Sequence, residues 1–258
     1  MISYIIASSI AIVLGQVTAH LIHRLPEIIE DDDAIKKIIP TLKIGFKFDW
    51  IYSLLLLVLF NLTIYFVGPT YMSYVYMILI SMLTVATVID FKMQLIPDTV
   101  QVVVLLLGII VTAIDYTNWL GHLIGMLLGG TIFGLIAIFS KIVFRKEGMG
   151  MGDIKLMTGL GLLFGIKALP TGFIDFFAQA EIILTITVIA FFLAAIVAIV
   201  LIVTNKTEKS QYMAFGPYIV IATILVIFFG TQPFLDAYFN ACTWLANGFT
   251  DLMFKIIN

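Results

Sequence analysis

The sequence predicts an all-α fold, a polytopic membrane helix bundle of about eight transmembrane helices, and three observations predict it. Of 258 residues, 62% are hydrophobic and 12% charged, whereas a soluble domain is roughly 45–50% apolar and about 25% charged. Apolar runs near the length a helix needs to cross hydrocarbon, about 20 residues, recur at 2–22, 50–67, 71–89, 99–115, 119–143, 155–173, 178–203 and 214–230. Twelve of the fourteen lysines and arginines fall in alternate connections, at 23–49, 90–98, 141–155 and 204–213, leaving only Lys167 and Lys255 for the other side. By the positive-inside rule those twelve are cytoplasmic and both termini face out.

The elements follow in order. The first run has no basic stretch before it and no small-residue cleavage site after it, so it is expected to stay as a span. The cytoplasmic connection 23–49 carries the acidic run Glu30, Asp31, Asp32, Asp33, which reads as a solvated turn. Only Gly68, Pro69 and Thr70 separate the second run from the third, which leaves room for a tilted or re-entrant segment. GMLLG at 125–129, GTIFG at 130–134 and GLLFG at 161–165 repeat small residues every fourth position, the spacing that lets helix backbones approach, and internal packing is the expected use. The tail FLDAYFNACTWLANGFTDLMF is expected to lie at the interface with Trp244 as an anchor, not to form a ninth span. The chain therefore divides into an N-terminal membrane region at 1–67, a main membrane domain at 68–230 and an apolar tail at 231–258.

Several functions are excluded early. A net charge of −2 offers no basic surface for nucleic acid. The single cysteine, Cys242, forbids an internal disulfide and any paired-cysteine metal site, and reads as a packing residue. His20, His23 and His122 are scattered, with His122 near the opposite membrane face, and each reads as a packed or interfacial side chain.

The acids concentrate the chemistry. VIDFKMQLIPD sets Asp90 at the cytoplasmic end of the third run and Asp98 at the start of the fourth. EGMGMGDIKLM sets Asp153 at the cytoplasmic start of the sixth, behind Gly148, Gly150 and Gly152, whose lack of side chains lets the backbone bend and another chain come close. Each acid also has a structural explanation, Asp98 as an N-cap after Pro97, Asp153 as a cap, Asp90 as a loop acid. Lys155 either snorkels to the interface or stabilises the ionised Asp153 or meets an acidic substrate residue. Carboxylates on separate spans, one beside a glycine loop, suit aspartic proteolysis, where one ionised acid activates water and a protonated partner polarises the scissile carbonyl. Close approach of two like charges in an apolar setting splits those roles without a metal.

These residues carry a resemblance. Asp90 followed by IPD at 96–98, then GMGD at 150–153 with Ile154, Lys155 and Leu156, resembles the GxGD membrane aspartic proteases, specifically the type IV prepilin peptidases; HLIHRLP at 20–26 and FGP at 215–217 agree in order. The resemblance implies a GxGD peptidase domain over 68–230, in a plasma-membrane enzyme that removes the basic leader of prepilins or pseudopilins at the cytoplasmic boundary. Its catalytic pair would be Asp90 and Asp153, with Gly150, Gly152, Asp98 and Lys155 as supporting motif residues. It would need no cofactor for proteolysis; the acidic run at 30–33, read above as a solvated turn, has attraction of the basic leader as its alternative reading.

One feature departs from that family. Many bacterial members hold zinc in two CxxC pairs after the first span, and they methylate the new N-terminus with S-adenosylmethionine. Here the connection RLPEIIEDDDAIKKIIPTLKIGFKFDW contains no cysteine. No zinc and no robust methyl transfer are expected. The competing class is a transporter or ion-binding protein with boundary carboxylates, which would call for mid-span acids or an inverted repeat; neither is found. The sequence sets no oligomeric state and names no individual substrate.

Overall fold

The computed structural model describes residues 1–30, 50–144, 149–166, 179–204 and 214–257. Among the described residues every regular element is helical and no strand occurs. Lipid offers no partner to a backbone N–H, so an apolar chain closes its hydrogen bonds within each helix. Each of the eight apolar runs carries a helix: α1 (Ile2–Glu30), α2 (Trp50–Val67), α3 (Tyr71–Met93), α4 (Asp98–Ile114), α5 (Trp119–Phe144), α6 (Met151–Phe164), α7 (Glu181–Val203) and α8 (Gly216–Phe229). The tail forms α9 (Gln232–Ile257). The acidic run at 31–33, Lys167 and the 147–148 end of the glycine stretch lie outside the described residues.

Among the described residues, five helices are long and apolar enough to cross a membrane: α1 through Pro26, α2, α3, α5 with its leading turn, and α7. A bent pair, α8 and the first half of α9, makes a sixth if counted as one broken span. The chain is thus an all-α polytopic membrane bundle. Two runs give helices well short of themselves: α6 and α8 have 14 residues each, about 21 Å at 1.5 Å per residue, while α4 keeps the 17 residues of its run. α6 stops where Gly165 takes a positive φ of 62°, although the apolar run continues. The tail turns away from α8 by 106° at Gly230 and Thr231. Cys242 is exposed on α9 instead of packed, because α9 leaves the bundle there.

The junction of α2 and α3 is a tight corner. Gly68 has φ 83°, and Thr70 and Ser73 form a capping box that starts α3. The Ser73 hydroxyl also donates to the Gly68 carbonyl. α3 is shared by two cores. Leu56, Phe60 and Ala11 pack on its Met77 and Ile80, while Leu83, Ala86 and Ile89 belong to a larger core shared with residues of α4, α6, α7 and α8. The outer surfaces stay apolar, with Leu127, Leu135, Phe192 and Val203 all exposed, as expected for a surface solvated by lipid.

α5 and α6 make the most intimate contact. A Cβ on Gly125 would stand 2.4 Å from the Gly161 carbonyl oxygen, one on Gly161 2.2 Å from the Gly125 oxygen, and one on Gly129 2.4 Å from the Met157 oxygen. Two of the three small-residue stretches therefore form one internal seam, as expected. Gly134 of GTIFG has nothing within 4 Å of its Cβ position. Along α4 and α6 the contacts run Gln101 with Gly152, Val104 with Gly159 and Gly108 with Leu162, so the two helices point the same way. Their N-termini, the C-terminus of α3 and the N-terminus of α8 meet at one end of the bundle.

Candidate active site

That common end holds both family-motif acids. Asp90 lies on the last turn of α3 and is 4% exposed; Asp153 lies on the first turn of α6 and is 7% exposed. A carboxylate in such a setting needs donors. Asp90 has one from across the bundle: the Gly216 N–H, at the start of α8, donates to its Oδ2 at 3.0 Å. The approach leaves no room for a side chain, since a Cβ on Gly216 would stand 2.6 Å from that oxygen. Pro217 follows at the first helical turn, where its missing N–H costs nothing.

α3 ends through Gln94 in the left-handed region, φ 53°, with its N–H donated to the Asp90 carbonyl at 2.9 Å. The chain then runs extended to Pro97, which is the N-cap position of α4. Between them Ile96, 5% exposed, is wedged between two glycines. A Cβ on Gly216 would lie 3.1 Å from Ile96 Cδ1, and one on Gly152 3.1 Å from Ile96 Cβ. Ile96 therefore couples the backbone that binds Asp90 to the backbone that carries Asp153. Gly150 and Gly152 both have ordinary negative φ. What the glycine stretch provides at 152 is close approach, and the expected bending is not what the described part of it does.

Asp153 stands ahead of the apolar part of α6. Burial, and after it the charge of Asp90, push its carboxyl up to about 7, opposed by a backbone hydrogen bond from Gly150. Gly150, not Asp153, is the N-cap of the helix; Asp153 is its third residue, and the bond it receives comes from the backbone of that cap.

Asp98 differs from expectation. It is the first residue of α4, not its N-cap, and makes no capping hydrogen bond. Its Oδ1 instead accepts from Lys155 Nζ at 2.8 Å, with side chains 78% and 53% exposed. At the first position of a helix capped by proline, Asp98 is turned outward, and Lys155, the fifth residue of α6, meets it there. The acid that Lys155 pairs with is thus Asp98, not Asp153. His122 is indeed packed at the far end: Nδ1 is 2.8 Å from the Leu162 carbonyl and Nε2 3.4 Å from Asp115. Among the described residues, no group of three His, Cys, Asp or Glu side chains could hold a metal ion.

Three residues of the site were not singled out by sequence reasoning. Gly216 was visible only as part of FGP. Ile96 was one letter of IPD. Gln101, an amide in the apolar run VQVVVLLL, is 8% exposed and abuts Gly152, with its Nε2 3.4 Å from the Cβ position there.

A helix bundle with apolar outer surfaces that gathers two buried carboxylates from separate helices at one end defines the class, a polytopic membrane protein with paired acids at a helix junction. Residues 77–248 match the type IV leader peptidase family, and the chain belongs to that family. The chain is similar to the prepilin leader peptidase/N-methyltransferase of Stutzerimonas stutzeri, 31% identical over 151 residues that cover 57% of this chain and 46% of the relative. The protein of the same description from Neisseria gonorrhoeae is 26% identical over 181 residues, covering 70% of this chain and 57% of its own length. That from Pseudomonas aeruginosa is 31% identical over 153 residues, covering 57% and 46%. The chain thus spans about half the length of the curated relatives it matches. No solved structure matches.

Proposed function

We propose that the protein is a membrane aspartic endopeptidase that removes the basic leader of type IV prepilins or pseudopilins at the cytoplasmic boundary, with Asp90 and Asp153 as its acid–base pair. One observation carries this most: two buried acids from separate helices meet at one end of the bundle, where burial first and the charge of Asp90 second favour the protonated form of Asp153. Asp90, facing a helix N-terminus and accepting the Gly216 N–H, suits the charged member that takes a proton from water. Asp153 suits the protonated member that donates to the scissile carbonyl oxygen. As water attacks, its proton passes to Asp90 and the carbonyl oxygen takes that of Asp153; as the tetrahedral intermediate collapses, the C–N bond breaks, the leaving amine takes the proton from Asp90, and one hydroxyl of the intermediate returns its proton to Asp153. Membership of the leader peptidase family and the similarity to prepilin leader peptidases support the substrate class. Methyl transfer, named for those relatives, is not assigned here. With Cys242 as the single cysteine, no zinc is assigned either.

Incubation of purified protein with a prepilin in detergent, with and without EDTA, tests the reading. Mass spectrometry is expected to show the leader removed at the same rate in both. An intact prepilin under both conditions would refute the peptidase, and loss of cleavage with EDTA would refute the metal-free mechanism.

The lysine and arginine asymmetry also orients the site. Lys92, Lys141 and Lys155 lie on the end that carries the acids, and we propose that this end is cytoplasmic. In a Cys242→Ser background, Lys141→Cys is expected to label from the cytoplasm only and Tyr116→Cys from outside only. The reverse pattern would overturn the orientation.

A further inference from the structure

Gln101 has an unused half. Its Nε2 donates to the Ile96 carbonyl at 3.1 Å. A carbonyl only accepts, so this bond fixes which end of the amide is nitrogen. It also keeps the side chain from turning to seek another partner. Its Oε1 is buried with no hydrogen-bond partner, an arrangement that folded proteins generally avoid. The amide sits beside Gly152, the residue before Asp153, and both heteroatoms share one carbon, so the unsatisfied oxygen lies at the same edge of the site.

A helix in lipid has all its backbone groups paired internally. A peptidase acting on such a helix must first unwind it around the bond to be cut, which frees N–H groups in a place with little water. Each freed group needs an acceptor. We propose that Gln101 Oε1 is a substrate-binding acceptor that takes one backbone N–H of the extended segment flanking the scissile bond. The inference rests on the peptidase reading above. It makes Gln101 a substrate-contacting residue, and its bond to Ile96 the latch that holds the acceptor beside Gly152 while steadying the wedge between Gly152 and Gly216.

The test is a coupling experiment on the full chain. The substrate is a synthetic segment of a prepilin spanning the leader and the first apolar stretch, with one amide at a time replaced by an ester, which deletes a single N–H. One ester position is expected to raise KM for the wild-type protein by roughly three- to tenfold, the size of one neutral hydrogen bond. Gln101→Met is expected to raise KM similarly with kcat changed less, and to be indifferent to that same ester. Gln101→Glu keeps an acceptor while losing the donor to Ile96, and is expected to remain sensitive to the ester, so the question is decided even where the methionine variant does not fold. Purely structural damage at 101 would multiply with the ester effect at every position. Multiplying losses throughout, an ester scan without effect on wild type, or insensitivity of Gln101→Glu each overturns the assignment. Failure of the wild-type protein to cleave the all-amide segment, with Asp90→Asn as the blank, would instead remove the peptidase reading and this inference with it.

Discussion

Asp90→Asn and Asp153→Asn are each expected to lower prepilin cleavage by about 10²–10⁴-fold, the usual contribution of general acid–base catalysis, while detergent size-exclusion profiles stay those of the folded protein. An amide keeps the shape and most of the hydrogen-bonding capacity of the carboxyl, but can neither exchange a proton at neutral pH nor carry the charge. In Asp90→Asn the amide oxygen could still accept the Gly216 N–H at the start of α8, so folding should survive. The double variant is expected to be no worse than either single one, as for residues that act as a unit. Near-normal turnover in either single variant would dissolve the pair. The pH profile carries the same expectation. Asp153 is pushed up to about 7, so the pair retains one proton below that pH and loses it above. Cleavage should therefore fall as pH rises through about 7, and fall again in acid as the second carboxylate takes a proton. Asp98→Asn is the contrast: its ion pair with Lys155 is exposed on both sides, and such pairs contribute about 0–1 kcal/mol, so a several-fold change at most is expected.

Gly216→Ala should be nearly as damaging to cleavage with a smaller effect on stability. The added methyl would stand 2.6 Å from Asp90 Oδ2, which must then move, and 3.1 Å from Ile96 Cδ1, which must give by a few tenths of an ångström. The backbone there has ordinary φ, so the conflict is one of space, and it is relieved by displacing the carboxylate and lengthening its bond to the Gly216 N–H. A shift of about 1 Å in a catalytic group can cost about 100-fold, and overpacking of this kind costs about 1–3 kcal/mol. The expected result is a fall of about 100-fold in kcat/KM with a modest drop in thermal midpoint. Gly152→Val presses on Ile96 from the opposite side and should act in the same direction. Gly134→Ala, with nothing within 4 Å, serves as the control and should leave both quantities unchanged. Wild-type turnover in Gly216→Ala would show that Asp90 need not be held where it is.

Much of the molecule follows from local sequence, for a physical reason. In lipid the backbone must satisfy its own hydrogen bonds, so a long apolar run forms a helix whatever surrounds it. Composition alone thus determined the class, the approximate helix positions and the face toward which lysines and arginines gather. The spacing of Gly125, Gly129, Gly161 and Gly165 likewise foretold a close helix pair, because small residues every fourth position lie on one stripe whichever partner they meet. The acids of the motif stretches were legible by residue type. Their relation was not: Asp90 meets Gly216 across 126 positions, and no local pattern encodes which helix ends will touch. Tertiary structure alone decided that Ile96 wedges two glycines apart, that Asp98 turns outward to Lys155 and does not cap α4, and that Gln101 holds an acceptor without a partner. It also ended α6 at Gly165 and turned the tail away from the bundle at Gly230, since a positive φ at one glycine outweighs an apolar run that would otherwise continue. Those choices depend on packing between distant segments, where a few tenths of an ångström select one arrangement over another, and it is that packing which brings the buried Asp90 and Asp153 to one end of the bundle.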